Sequence, residues 1–185
     1  QAVAYTDMAL RKFFATVSQQ AWYNNTIFII TPDHASPIIS VNNPTAMGMY
    51  EIPILFFAPT DTTLHGRNHS LFQQIDILPT ILHYLGYPKK FFALGNDLYN
   101  SEQPRFVINE LSGSYKWLMN GTLLLSNDMT PVKLYNYSAD SAGAHNLLHN
   151  KPNDEIINYF KAFMQTYRDA LIHNRLYVAD TTAMQ

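Results

Sequence analysis

Apolar and polar positions change period several times along the chain, and each change marks an element. Over residues 6–20, TDMALRKFFATVSQQ, Ala9, Phe13, Phe14 and Val17 recur at helical spacing. This predicts an amphipathic helix with Thr6 or Asp7 as its N-cap. WYNN then interrupts the period, and TIFIIT (26–31) is a continuous apolar run of the kind found in parallel strands buried on both faces. From Ala35 to Tyr50 the chain carries two prolines, two asparagines and a glycine with no sustained period. A loop that long in a compact domain is functional or disordered. IPILFFAP (52–59) reads as a second buried strand and TDTTLHGRNHS (60–70) as a polar connection. LFQQIDILPTILHYLGY (71–87) reads as a helix with Pro79 near a turn, closed by Gly86 and Pro88.

Beyond residue 100 the texture changes. RFVINEL, YKWLMNG, TLLLSND and VKLYNYS are short strands separated by turn residues, Asn120-Gly121 among them, which predicts an antiparallel meander. Residues 154–176 close with a helix on which Ile156, Phe160, Phe163, Tyr167 and Leu171 form one stripe, read as core packing. The order of elements predicts an α/β fold. Its layered core covers residues 1–104, and a small antiparallel-sheet subdomain with a terminal helix covers 105–185.

Composition narrows the partners. The chain has 185 residues, 47% hydrophobic and 14% charged, enough for a real core and too apolar for general disorder. Charge that low also fits a piece of a larger protein exposing former interior, and the start at Gln1 points the same way. The net charge of −2 leaves no overall electrostatic footprint for nucleic acid or anionic lipid. Arg11-Lys12 and Lys89-Lys90 read as solvated faces. There is no cysteine, so disulfides, a thiolate nucleophile and cysteine-ligated zinc are excluded. No apolar run reaches the ~18 residues of a membrane span and no signal peptide is visible, so the chain itself is expected to be soluble.

The candidate chemistry lies where TIFIIT ends, at Asp33-His34. In parallel α/β sheets ligands bind beyond the carboxyl ends of the strands, and an adjacent carboxylate and imidazole can turn toward one cation. The alternative is that Asp33 caps the next element and His34 is merely exposed. A lone Asp-His pair is a weak motif, and spacing alone favours that alternative. Arg67 and His69, with His65, stand in the polar connection, where a guanidinium can grip a sulfate or phosphate bidentately or simply be solvated. Asp76 reads as a brace of its helix, His83 as a partly buried structural residue, and His145 and His149 as surface. Glu110 and Asp128 show no acid/base partner.

Taken together, YTDMALRKFF…WYNNTIFIITPDHA resembles the sulfatase family within the alkaline-phosphatase superfamily, nearest its lipoteichoic-acid synthase and phosphoglycerol-transferase branch. Tyr5, Asp7, Phe13, Phe14, Asn25, Thr26, Asp33 and His34 stand where that pattern has them. YEIPILFFAP resembles the family's next strand, and QQIDILPTILHYLGY its signature helix, with Gln74, Asp76, Pro79, Thr80 and Gly86. VKLYNYSADSAGAHNLL is similar to its C-terminal subdomain. The resemblance implies the C-terminal half of an alkaline-phosphatase-like layered sheet, followed by the small antiparallel sheet and helix. It implies a divalent metal (Mn, Zn, Mg or Ca) held in part by Asp33 and His34. Arg67 and His69 become candidate contacts to a sulfate- or phosphate-ester substrate.

The same resemblance implies a hydrolase or a phosphoglycerol-type transferase, whose nucleophile belongs to strands preceding residue 1. The chain alone is then inactive, its partner is the missing N-terminal half, and self-association is expected. Location is implied to be the extracytoplasmic face of the cell membrane or the periplasm, in a membrane-anchored parent. Two other classes compete: a structural or binding domain that keeps the fold without a working site, and an interaction module that uses an exposed apolar surface.

Overall fold

The computed structural model describes residues 2–35, 45–148 and 154–178. Contacts gather the chain into two compact units, Gln1–Ser36 with Glu51–His69, and Pro37–Tyr50 with Ser70–Gln185. This division differs from one at residue 104. Gln73 bridges across that point, its side chain donating to the Phe106 carbonyl at 2.9 Å and accepting from the Ile108 amide at 3.1 Å.

In the first unit, helix α1 spans Ala2–Val17. It starts ahead of the pattern's prediction, so Thr6 and Asp7 lie inside it rather than at its cap. Thr6 donates back to the Ala2 carbonyl, and Asp7 pairs with Arg11 one turn on. The stripe expected on this helix is only partly used: Val17 is buried, whereas Phe13 is 47% exposed. Phe14 packs edge-on against Phe28 and Phe57, with ring centroids 5.3 and 5.9 Å away, and Tyr23 closes on Phe28 at 5.6 Å.

Those two phenylalanines lie on strands β1 (Phe28–Ile30) and β2 (Leu55–Phe57). The strands pair antiparallel, Phe28 opposite Phe57 and Ile30 opposite Leu55. The expectation of a parallel strand buried on both faces is therefore corrected in two respects. The ribbon runs antiparallel, and Ile29 and Leu55 are exposed. An unbroken apolar run fixes neither the direction of its partner nor the burial of its second face. The strand is also shorter than the run, because Thr26 ends a turn at Tyr23–Asn25 and donates its hydroxyl to the Trp22 carbonyl.

In the second unit, helix α2 (Ile77–Tyr84) follows a single 3₁₀ turn at Gln74–Asp76. Asp76 accepts the Gln73 amide at 3.0 Å and the Asn96 amide at 2.7 Å, and it is only 1% exposed. Its bracing role follows from this. Thr80 accepts the Leu98 amide, and His83 pairs with Asp97 at 2.5 Å while stacking on Tyr99. Residues 76, 80 and 83 recur on one helix face, so a single polar stripe holds the return segment 96–98. His83 is more exposed than the partly buried residue expected, its side chain 57% accessible. Gly86, at φ +62, ends the helix: its amide bonds to the His83 carbonyl and that of Tyr87 to the Leu82 carbonyl.

The meander forms as its pattern predicts. Strands β3 (Phe106–Leu111), β4 (Ser114–Met119), β5 (Thr122–Asn127) and β6 (Thr130–Asn136) lie in sequence order, all antiparallel. Ser112, Asn120 and Asp128 open the two-residue turns with φ near +50°, the left-handed geometry that matches strand twist. Alternation then sorts the side chains. Phe106, Trp117, Met119, Leu124 and Leu134 face helix α3 (Asp154–Ile172), from which Phe160 and Met164 complete one buried cluster. Leu118, Leu123 and Tyr135 face the other way and bury Met47. The helix stripe is confirmed at Ile156, Phe160 and Phe163, but Leu171 is 47% exposed. Met164 and Ala170 are buried instead, because the contact face follows the helix's true period.

The far end of the long loop is fixed on this second sheet face. Thr45 bonds to the Tyr137 hydroxyl at 2.6 Å, and the Lys116 ammonium donates to the Ala46 carbonyl at 2.9 Å. It also lies over the Tyr50 ring, 4.6 Å from the centroid. His149 falls outside the described residues.

Candidate metal centre

Asp33 and His34 stand three and four residues past the end of β1, carried clear of the ribbon by Thr31-Pro32. Asp33 Oδ1 accepts the backbone amide of His34 at 2.9 Å, which turns the carboxylate toward its neighbour. His34 Nδ1 lies 3.0 Å from the Ala35 carbonyl. A carbonyl only accepts, so Nδ1 carries the proton and Nε2 is left with its lone pair. That Nε2 is 3.7 Å from Asp33 Oδ2. An imidazole whose second nitrogen is tied to a carbonyl is the arrangement that orients metal-ligating histidines. Two donor atoms at this spacing can share one cation through bonds of about 2.1 Å.

The donor set fits part of a site and not a whole one. Among the described residues no group of three or more His, Asp or Glu side chains is placed to hold a metal. Both members are open to water, His34 78% and Asp33 87% accessible at the side chain. Their mutual attraction is therefore weak.

Arg67 and His69 lie in the connection after the turn at Thr62–Leu64, which Asp61 caps by accepting the Thr63 amide and hydroxyl. Both are exposed, as is His65, and among the described residues His69 joins no three-residue cluster with the Asp33–His34 pair. His145 is exposed, its amide and ring both directed to Asp140. That carboxyl is held below its ordinary pKa, first by the His145 and Ala144 amides. Asp128 forms an ion pair with Arg168, and Glu110 accepts the Gly113 amide. Two pairings left no signal in the sequence. Asp97 meets His83 across 14 residues, and Lys116 meets the loop end across 70.

Comparisons with known proteins bear on the segment that carries the Asp33–His34 pair. Residues 1–87, which contain β1, the Asp-His pair, β2 and α2, match the Sulfatase family model. The chain is also similar in sequence to lipoteichoic acid synthases. Lipoteichoic acid synthase 1 of Bacillus subtilis (strain 168) is 28% identical over 117 residues, 55% of this chain and 18% of that protein. Lipoteichoic acid synthase of Staphylococcus aureus (strain USA300) is 28% identical over 120 residues, covering 58% and 18%. The matched part thus spans under a fifth of these relatives. A solved sulfatase structure, BT33494S-sulf of glycosaminoglycan metabolism by Bacteroides thetaiotaomicron, superposes with a TM-score of 0.53 at 16% identity. It covers 94% of this chain and 45% of that one, and it carries the likeness of fold through the meander and α3. No helix among the described residues is long and apolar enough to cross a membrane.

Proposed function

We propose that this chain is part of a metal-dependent hydrolase or transferase of the sulfatase superfamily, acting on sulfate or phosphate esters. The kinship with lipoteichoic acid synthases favours phosphoglycerol-type transfer over sulfate hydrolysis. The observation that carries the proposal is the Asp33–His34 pair at the end of β1 in the family-matched segment. Its free Nε2 and a carboxylate oxygen are 3.7 Å apart.

In the proposed role Asp33 Oδ2 and His34 Nε2 hold one side of a divalent cation, Mn, Zn, Mg or Ca. A bound metal there supplies charge that activates a hydroxyl nucleophile and polarises an ester oxygen. The second oxygen of Asp33 keeps the His34 amide, and the Ala35 carbonyl keeps the imidazole in its ligating tautomer. Arg67 offers a planar fork to a sulfate or phosphate, and His69 a further donor. The nucleophile and remaining ligands come from parts of the sulfatase fold outside this chain. The exposed apolar residues Val3, Tyr5 and Met8 of α1 give such a part a surface to pack on. The parent protein works on the extracytoplasmic side of the membrane.

Isothermal titration with MnCl2 and ZnCl2, on the wild type and on Asp33→Ala and His34→Ala, tests the site directly. Each substitution is expected to weaken binding on the order of tenfold or more, with an unchanged circular dichroism spectrum because both side chains lie in solvent. Equal affinity in all three proteins would remove the metal assignment.

A further inference from the structure

The loop that leaves α2 combines exposed apolar and basic side chains. Gly86 stops the helix sharply, and from Leu85 to Phe91 every residue is exposed. Leu85 is 61% accessible, Tyr87 45% and Phe91 41%. The Tyr87 and Phe91 rings sit 6.4 Å apart, so two aromatics flank Lys89 and Lys90 on one projecting turn. Between Asp76 and Asp97 the sequence contains no acidic residue, and these two lysines are its only Lys or Arg. The chain's overall charge of −2 therefore hides a local positive tip with apolar sides.

We propose that the Leu85–Phe91 loop docks on an anionic lipid surface. Tyrosine and phenylalanine seat at the boundary between headgroups and acyl chains, while lysine reaches the phosphates on a flexible stem. Each lysine near a negatively charged bilayer adds to binding, and the gain fades within a Debye length and with salt. Charge decides the occupant. An apolar protein partner would have to desolvate two ammonium groups at the centre of the contact. The loop is held at its ends, by the α2 cap and by the segment 96–98 anchored on α2. The inference is independent of the metal site, since none of these residues belongs to it.

The test is co-sedimentation of the 185-residue protein with sucrose-loaded vesicles of phosphatidylcholine containing 0, 20 or 40% phosphatidylglycerol, at 50 and 300 mM NaCl. Binding is expected to rise with phosphatidylglycerol and to fall with salt. Lys89→Gln/Lys90→Gln should lower the partition coefficient about 30-fold at 40% phosphatidylglycerol. Tyr87→Ser/Phe91→Ser should lower it at both salt concentrations. All four side chains are in solvent, so thermal unfolding of both variants should match the wild type and separate lost docking from lost fold. Three outcomes would each overturn the proposal: binding as strong to pure phosphatidylcholine, undiminished binding of the lysine variant, or a self-association that the same substitutions abolish.

Discussion

Asp76 offers the sharpest test of how the second unit is held together. Its carboxylate is buried and raised from 3.8 to about 6, first by desolvation and against the pull of two amides and Arg105. A group whose pKa is higher folded than unfolded stabilises most below its unfolded value, and that contribution is lost as pH rises through its folded value. At neutral pH the charged form thus costs stability, at most about 3 kcal/mol for a shift of this size. Between pH 4.5 and 7 the change amounts to about 2 kcal/mol. Asp76→Asn removes the titration but turns an NH2 toward one of the two amides, a penalty of roughly 1–3 kcal/mol that does not vary with pH. The difference in unfolding free energy, wild type minus Asp76→Asn, should therefore fall by about 2 kcal/mol from pH 4.5 to 7. Urea unfolding followed by circular dichroism at four pH values measures it. A difference that stays flat, or that grows with pH, would refute the burial argument for this carboxylate.

Gly95 packs against the same turn, and a Cβ there would meet the Ile75 carbonyl oxygen at 2.1 Å. Backbone cannot swing aside, so Gly95→Ala should cost about 3 kcal/mol and lower the melting temperature by roughly 10 °C. Leu134 is fully buried and Val132 on the same strand is 48% exposed. Leu134→Ala should lose about 2–5 kcal/mol in denaturant titration, and Val132→Ala well under half of that. Arg168→Gln breaks a partly exposed pair with Asp128 and should change stability by under about 1 kcal/mol, with salt erasing the effect.

Much of the fold was legible because the decisive signals are local. Asn120-Gly121 specifies its hairpin through backbone conformation alone, and the alternation in YKWLMNG sends Trp117 and Leu118 to opposite faces without knowledge of what covers them. What failed needed a partner. Nothing in TIFIIT reveals that Phe28 will face Phe57 on an antiparallel neighbour, and nothing at Thr6 shows that the helix begins at Ala2. The candidate site divides in the same way. Adjacent Asp33 and His34 stand out in a sequence at the end of an apolar run. The carbonyl that fixes the imidazole, and the absence of a third ligand among the described residues, are facts of three dimensions. Lys116 went unnoticed because a lone lysine in a strand carries no hint of the carbonyl 70 residues away that it will meet.

The three two-residue turns of the meander also set an order of assembly. Each strand pairs with its immediate successor, so closing β3 through β6 joins residues a dozen or so positions apart. Hairpins of that kind form in about 1–10 μs, long before contacts between distant segments are searched out. Met47 and helix α3 close on opposite faces of the sheet from well outside it in sequence. The sheet can thus stand as a template before either arrives. During synthesis, β3 to β6 can pair as soon as they clear the ribosome, while the bare face meant for Phe160 waits for helix α3 to be made.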